Sequence, residues 1–216
     1  MTKAILLGSI GVLIETSEMQ RKAFNDAFRE AGLDWDWTPD IYGPMLQQSG
    51  GRARIQRFAE EKGDNVDVSA LHGRKSELFQ KAMAEGVSPR DGIVEVVKAA
   101  QDAGVAVGFV TTTSQENVSI ALAAAHGITA DDFDFIGYDS LVDASKPNPD
   151  IYDLALRELG VDNSDAIAVE DSAVSAEAAL AAGIRMIAFP GMYHHEDNFP
   201  PSNARVDRLT PDLFGL

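Results

Sequence analysis

The chain has 216 residues, of which 45% are hydrophobic and 24% charged, a composition typical of a soluble globular protein with room for a core and a smaller second domain. Its formal net charge of −16 argues against nucleic acid and against an anionic membrane as partners, because both would repel it. The absence of cysteine excludes disulfides, thiolate nucleophiles and thiolate-bound metals, and it fits an expectation that the protein is cytoplasmic.

A short apolar run follows Lys3, and it is too short to cross a bilayer. The run contains Gly8 and Gly11, where a turn would need them, and Glu15 follows it at once. We therefore predict a buried strand over residues 4–7 with a loop after it, rather than a secretory signal.

The next stretch has helical patterns and no strand pattern. Ser17 with Gln20 predicts a capping box at the start of a helix that Gly32 ends, and residues 35–39 predict a turn. We therefore predict an all-helical domain over residues 15–87, inserted after the first strand of a core domain that comprises residues 1–14 and 88–216.

The second half of the chain alternates between apolar strands and helical patterns, which is typical of a parallel α/β sheet. We predict strands over residues 4–7, 105–110, 133–136, 166–169 and 184–189. We predict helices between them, each closely followed by a glycine that can take a left-handed cap conformation, over residues 92–103, 115–125, 149–159 and 173–182.

Four of the predicted strands end in chemically suggestive residues, at the edge where parallel sheets bind ligands. Residues 8–11 form a glycine-containing loop whose N–H groups suit an anion, and residues 111–114 supply four hydroxyls ahead of a helix. Lys146 lies in a proline-bracketed loop, and Glu170 and Asp171 are adjacent carboxylates that suit Mg²⁺.

Each pattern also has a structural explanation when it is taken alone. Threonines often begin helices, a Lys-Pro loop is usually solvated surface, and a Glu-Asp pair before a helix favours the helix dipole. Their occurrence at successive strand ends favours a site for phosphate and magnesium over coincidence.

Four stretches carry a resemblance to a known family: GVLIETSEMQRKAFNDAF, SGGRARI, KPNPDIYDLALRELG and VEDSAVSAEAALAAGIRMIAFPG. With them the chain resembles the haloacid dehalogenase superfamily, in particular the subgroup with a helical cap inserted after the first motif. That subgroup includes CbbY-type sugar-bisphosphate phosphatases, phosphoglycolate phosphatases and β-phosphoglucomutases, and the CbbY-type phosphatases resemble this chain most. The resemblance implies a Rossmann-like α/β core with a helical cap.

The resemblance also implies roles for individual residues. Thr111, with Thr112 beside it, would bind phosphate, Lys146 would neutralise it, and Glu170 with Asp171 would hold Mg²⁺. In the cap, six residues would face the distal phosphate or hydroxyls of the substrate: Gly50, Gly51, Arg52, Arg54, His72 and Lys75.

The first motif departs from the family pattern of an aspartate, any residue, a second aspartate and a glycine. Here the four positions are Gly8, Ser9, Ile10 and Gly11. In the family the first aspartate attacks phosphorus and ligates Mg²⁺, and the second acts as acid and base. Neither Gly8 nor Ile10 can do this, and loss of a nucleophile costs about 10⁶ in turnover in a protease whose catalytic residues act together. Mg²⁺ is expected to bind weakly or not at all.

Other polar residues offer poor substitutes. Strand alternation turns Ser9 away from its neighbours' face, and Glu15 and Glu18 are expected to be solvated acids at a helix start. The loop with His194 and His195 is expected to be solvated rather than to bind a metal, and His126 is expected to be a helix C-terminal cation.

These observations favour a protein that binds a phosphorylated small metabolite, such as a sugar phosphate, with little or no hydrolysis. Two alternatives stay open: a weakly active Mg²⁺-dependent phosphatase without a covalent intermediate, and a fold that serves only in protein interaction.

Overall fold

The computed structural model describes residues 1–46 and 50–216, so Ser49, in one of the stretches quoted above, lies outside the described residues. The chain divides into two units. The first unit comprises Met1–Glu15 and Gly86–Leu216, and the second comprises Thr16–Glu85.

The first unit is built on a parallel sheet, which confirms the predicted α/β class. Its strands lie in the order β3-β2-β1-β4-β5-β6, and every neighbouring pair is parallel. The strands are β1 (Ala4–Leu7), β2 (Ala106–Val110), β3 (Phe135–Gly137), β4 (Ala166–Glu170), β5 (Arg185–Ala188) and β6 (Ala204–Arg205). Each residue of β1 and β4 is buried, as in a sheet that is covered on both faces.

The sheet differs from the prediction at β3 and β6, beyond shifts of one residue at the ends of β2, β4 and β5. The third strand begins at Phe135 rather than at Phe133, because Phe133 closes a short 3-10 helix over Ala130–Asp132 by donating its N–H to the Ala130 carbonyl at 3.2 Å. The side chain of Asp134, the residue before β3, accepts a hydrogen bond from the Val107 N–H at 2.8 Å. The last strand, β6, has two residues and is too short to produce an alternating pattern.

The described helices alternate with the strands in the first unit and make up the second unit. In chain order they are α1 (Ile10–Leu13), α2 (Ser17–Glu30), α3 (Pro39–Met45), α4 (Gly51–Lys62), α5 (Val68–Ala84), α6 (Ile93–Asp102), α7 (Gln115–Ala124), α8 (Asp150–Leu159) and α9 (Ala173–Ala181). Among the described residues no helix is both long and apolar enough to span a membrane.

Helix caps explain two differences at the start of the chain. The predicted loop after β1 is largely the short helix α1, because the Ser9 hydroxyl accepts a hydrogen bond from the Val12 N–H at 3.1 Å and so caps it. The predicted capping box at Ser17 is wrong: α2 begins with Ser17 itself, and the residue before it, Thr16, makes no capping hydrogen bond through its side chain.

The second unit is held together by aromatic side chains. Both tryptophans of the predicted turn are buried in this core, where Trp37 lies 4.7 Å from Phe24 and Trp35 lies 5.2 Å from Phe58 between ring centroids. The Trp35 indole also donates a hydrogen bond to Asp64 at 2.7 Å. Aromatic pairs of this kind stabilise a core beyond the area they bury, so the 35–39 segment is structural rather than merely connecting.

Candidate functional site

The candidate site lies where β1, β2 and β4 end. The strand register pairs Leu7 with both Phe109 and Val169. Gly8, Val110 and Glu170 therefore lie side by side at the carboxyl edge of the sheet, where open parallel sheets place their ligands.

Lys146 reaches this edge from the loop before α8 and is the hub of the site. Its ammonium donates to the Glu170 carboxylate at 2.6 Å, to the Val110 carbonyl at 2.9 Å, and to the Gly8 carbonyl. An ammonium has three protons, and these acceptors use all of them. With its side chain only 6% exposed, Lys146 is not the solvated surface residue that the alternative interpretation describes.

Glu170 is the buried counterion of Lys146. Burial raises the pKa of the Glu170 carboxyl and so does the charge of Asp171, whereas Lys146 and the Tyr152 hydroxyl act in the opposite direction. Its Oε1 atom accepts from Lys146 and from Tyr152, and its buried Oε2 atom has no hydrogen-bond partner among the described atoms. The carboxylate is thus held through one oxygen, and the other is left unsatisfied.

Tyr152 belongs to the site although nothing in the sequence pattern distinguishes it from a core tyrosine of α8. Its hydroxyl donates to Glu170 at 2.5 Å, and its side chain is completely buried. Burial and the neighbouring carboxylate raise the pKa of Tyr152 well above 10.0, so it stays a neutral donor at physiological pH.

The space beside Gly8 is filled. A Cβ atom on Gly8 would lie 2.2 Å from the Cδ and Oε1 atoms of Glu170 and 2.4 Å from the Tyr152 hydroxyl. Any side chain at residue 8 therefore requires these groups to move. Of the N–H groups of residues 8–11, which the sequence suggests for an anion, that of Gly8 is already used, because it donates to the Val169 carbonyl at 2.9 Å.

The Asp171 side chain lies against Gly11 in the short helix α1. A Cβ atom on Gly11 would be 2.0 Å from the Oδ2 atom of Asp171, so only glycine allows this close approach. The backbone carbonyl of Asp171 accepts from the Gly191 N–H at 2.9 Å, which links the same residue to the loop after β5.

The residues present do not fit a resident Mg²⁺ ion. Mg²⁺ takes oxygen ligands in octahedral geometry, commonly one or two carboxylates with water or phosphate. Here Glu170 is completely buried, it is paired with the ammonium of Lys146, and that positive charge opposes a second cation. In the part of the chain that the structure describes, no three acidic, histidine or cysteine side chains form a group that could hold a metal ion.

The threonines after β2 lie beside Val110, at the same edge as Lys146. Thr111 is buried, and its hydroxyl oxygen accepts from the Thr113 N–H at 3.3 Å. The residue that caps α7 is Ser114, whose hydroxyl oxygen accepts from the Asn117 N–H. Thr111 and Thr112 are therefore not needed as caps of α7. Their role in phosphate binding stays a prediction.

The predicted cap residues lie together in the second unit. Gly50 precedes α4 with a φ of 101°, and Gly51 begins that helix. A Cβ atom on Gly51 would lie 2.8 Å from the Nε2 atom of His72, which explains the glycine. Burial, and after it the charges of Lys75 and Arg52, lower the pKa of His72.

Two cations of this unit are buried. The Arg54 guanidinium donates to the Met45 carbonyl at 3.2 Å and lies 5.3 Å from the ring centre of Tyr42. The Lys75 ammonium donates to Gln20 at 2.5 Å and lies within 5 Å of two aromatic ring centres, those of Phe24 at 4.7 Å and Phe79 at 4.8 Å. Arg52, Arg54, His72 and Lys75 form what we call the cap cation cluster; their predicted contact with a substrate stays a prediction.

Replacing Lys75 with methionine is expected to change how stability depends on pH. Burial lowers the pKa of Lys75 from 10.5 to about 8, so the unfolded chain holds this proton more tightly than the folded one. The cost of the buried charge is fully present below about pH 8 and disappears as the pH rises toward 10.5. As the pH rises from about 8 to 10.5, the free energy of unfolding of the wild type should therefore increase by up to about 3 kcal/mol relative to that of Lys75→Met.

Urea denaturation of both proteins at a series of pH values measures this difference. Lys22→Met, at an exposed lysine of α2, is the matched control and should follow the wild type across the whole range. A constant difference between wild type and Lys75→Met would contradict the depressed pKa.

Arg90 is a candidate residue that the sequence analysis missed, since it lies in what reads as a linker between Pro89 and Gly92. Its guanidinium donates to the carbonyls of Gly11 and Phe189, both at 2.9 Å, and to that of Pro190 at 2.6 Å. It also lies 3.5 Å from the centre of the Phe189 ring. Arg90 therefore ties the loop after β1 to the loop after β5.

We expect Arg90→Met to lower the free energy of unfolding by about 2–3 kcal/mol, because it leaves buried carbonyls without a charged donor. Chemical denaturation followed by circular dichroism measures the change. The control is Arg157→Met, at a side chain that is 69% exposed in a 3.9 Å ion pair, where a change within about 0.5 kcal/mol is expected. An equal change in the free energy of unfolding at the two positions would show that the Arg90 contacts between the two loops do not stabilise the fold.

Two histidines, His194 and His126, pack against glycines of the first unit. His194 is not simply solvated as expected: it is partly buried, and its Nδ1 atom lies 2.7 Å from the Asp197 carboxylate, whereas His195 is exposed. A Cβ atom on Gly86 would lie 1.9 Å from the Nε2 atom of His126, so that ring packs against the chain at the start of the second segment of the first unit.

The chain belongs to the haloacid dehalogenase-like hydrolase family, whose model matches residues 11–189. The match begins directly after Ile10. The chain is 40% identical over 221 residues to the protein CbbY from Cereibacter sphaeroides, covering 100% of this chain and 96% of that protein. It is 33% identical over 216 residues to CbbY from Rhodobacter capsulatus, and the match covers 98% of this chain and 93% of that protein.

Solved structures agree with this assignment. CbbY from Rhodobacter sphaeroides in complex with phosphate has a TM-score of 0.80 at 38% identity, over 96% of this chain and 95% of that one. A mutant of that CbbY, in complex with xylulose-1,5-bisphosphate, matches with the same score, identity and coverage. A β-phosphoglucomutase from Clostridium difficile, at 18% identity and a TM-score of 0.70 over 99% and 93% of the two chains, shares the fold.

Proposed function

We propose that this chain binds a phosphorylated small metabolite, such as a sugar phosphate, and hydrolyses little or none of it. The observation that carries the proposal is the space beside Gly8, which Glu170 and Tyr152 fill where an attacking carboxylate would have to stand. Ile10, two residues further on, has no group that transfers a proton. Membership of a phosphatase-like family and similarity to CbbY support phosphate as the group that is bound.

The expected loss of turnover is large. Loss of a nucleophile, at about 10⁶ in rate, corresponds to roughly 8 kcal/mol of transition-state stabilisation. Phosphatases of this family generally use Mg²⁺, and the pairing of Glu170 with Lys146 supports weak or absent Mg²⁺ binding in this chain. What remains is the ability to position and to neutralise an anion, which supports binding rather than catalysis.

Each unit by itself offers groups that suit a phosphate. In the first unit these are the Lys146 ammonium and the hydroxyls of Thr111 and Thr112. In the second unit it is the cap cation cluster, in which Lys75 and Arg54 are buried. Because a similar CbbY was solved in complex with xylulose-1,5-bisphosphate, that compound is the first to test.

Calorimetric titration with xylulose-1,5-bisphosphate, with phosphate release assayed in parallel, tests the proposal. We expect saturable binding in the presence of EDTA, no phosphate release, and binding at least tenfold weaker in Lys146→Ala. Lys98→Ala, at an exposed lysine of α6, is the control and should bind as the wild type does. Absence of binding, or rapid release of phosphate, would overturn the proposal.

A second candidate function is weak phosphatase activity without a covalent intermediate. Asp171 favours it, because this carboxylate lies close to the loop after β1 and is not paired with Lys146. Residual catalysis from positioning and charge survives the loss of a nucleophile in other hydrolases. Mg²⁺-dependent phosphate release that Asp171→Asn abolishes would select this function over simple binding.

A further inference from the structure

Lys146 already has an anionic partner, Glu170. The Lys146 ammonium is the charged group proposed above for phosphate in the first unit, yet in this structure its three protons are donated to Glu170, Val110 and Gly8. Two of these acceptors are backbone carbonyls with no net charge. Glu170 is therefore the anion that a phosphate would have to replace.

The position of Glu170 follows from the glycine at residue 8. The Oε1 atom of Glu170 lies 2.2 Å from where the Cβ atom of residue 8 would be, so the carboxylate occupies the volume that a side chain there would take. A buried ammonium without a nearby anion is costly. With no side chain at residue 8, the carboxylate of Glu170 supplies that charge.

A phosphate and Glu170 cannot both pair with Lys146 at low cost. A carboxylate with no solvent exposure next to a phosphate places like charges together where water does not screen them. The unpartnered Oε2 atom shows that Glu170 is only partly satisfied where it lies, because one of its oxygens loses its hydration without a replacement. Glu170 is thus a displaceable partner rather than a fully bonded one.

We propose that Glu170 is an internal competitor of the phosphate ligand: it closes the site by pairing with Lys146, and a phosphate binds only when that pair opens. This inference rests on the proposed function and adds a regulation of the same site. The affinity that is measured for phosphate is then the intrinsic affinity of Lys146, reduced by the fraction of molecules in which the pair is closed.

Titration with inorganic phosphate by calorimetry, on the full chain, tests the competition. Glu170→Gln keeps the shape of the side chain and removes its charge, and we expect it to bind phosphate at least tenfold more tightly than the wild type. Lys146→Met in the Glu170→Gln background should lose that gain. Glu177→Gln, at an exposed glutamate of α9, controls for the change in net charge and should bind as the wild type does.

Tyr152→Phe provides a second test that leaves both charges in place. It removes the hydroxyl that donates to Glu170 at 2.5 Å. Phosphate should therefore bind more tightly than to the wild type, but less tightly than to Glu170→Gln. If the wild type binds phosphate and both variants bind it equally or more weakly, the competition is excluded while the proposed function stands. If neither the wild type nor a variant binds phosphate or xylulose-1,5-bisphosphate, both proposals fail.

Discussion

Lys146→Met should lower the free energy of unfolding by about 3–5 kcal/mol at neutral pH, the cost of leaving one member of a buried ion pair without its partner. The Lys146 side chain is 6% exposed and that of Glu170 is 0% exposed, so solvent does not replace the lost ammonium. Chemical denaturation followed by circular dichroism measures the change.

The dependence of this loss on pH identifies its source. Burial already raises the pKa of Glu170 above 4.5 in the folded protein, and removal of Lys146 raises it further. A carboxyl whose pKa is higher in the folded state binds its proton more tightly there, so its penalty is present above the folded pKa. The penalty disappears as the pH falls toward the unfolded value of about 4.5.

Two variants separate the charge from the packing. In Lys146→Met with Glu170→Gln no buried charge remains, and most of the lost stability should return. Lys98→Met, at an exposed lysine, should change stability by less than about 0.5 kcal/mol. A Lys146→Met protein within 1 kcal/mol of wild type, by about the same margin at every pH, would show that the ion pair is not important for folding.

Gly8→Asp should also destabilise the protein, by about 3–5 kcal/mol, although it restores the residue that the family pattern has at this position. The new Cβ atom would overlap Glu170 and Tyr152, and overpacking of a core costs about 1–3 kcal/mol. The new carboxylate would then lie next to Glu170, and two like charges in a buried site add to the cost.

Gly8→Ala isolates the steric part and should cost about 1–3 kcal/mol. Gly73→Ala, inside α5 with no atom within 4 Å of its added methyl group, is the matched control and should stabilise the helix by about 0.5–1 kcal/mol. If Gly8→Asp were as stable as the wild type, Glu170 would have to be able to leave Lys146 freely.

Gain of Mg²⁺-dependent turnover by Gly8→Asp with Ile10→Asp would show that the rest of the machinery is intact.

The sheet could be predicted from the sequence because its strands are continuous apolar runs and its helices end at glycines. The limits of these elements depend on single capping hydrogen bonds instead. The Ser9 hydroxyl caps a short helix after β1, and the Phe133 N–H, bonded to the Ala130 carbonyl, delays the start of β3. Both bonds span only three residues, but the apolar pattern that predicts the strands does not contain them.

The candidate site divides in the same way. The strand-end rule correctly placed Thr111, Lys146 and Glu170 at one edge of the sheet, since it depends only on where the strands stop. It gave no indication that Lys146 and Glu170 pair with each other, or that Tyr152 holds the same carboxylate. These contacts join residues far apart in the chain, so they follow only from the folded structure.

Both tryptophans of the chain, Trp35 and Trp37, lie in the aromatic core of the second unit. Intrinsic tryptophan emission therefore reports the melting of that unit alone, whereas the amide signal averages over both. In a variant that weakens only the first unit, such as Lys146→Met, the two optical transitions can separate. Their coincidence or separation in the wild type measures directly whether the two units unfold cooperatively.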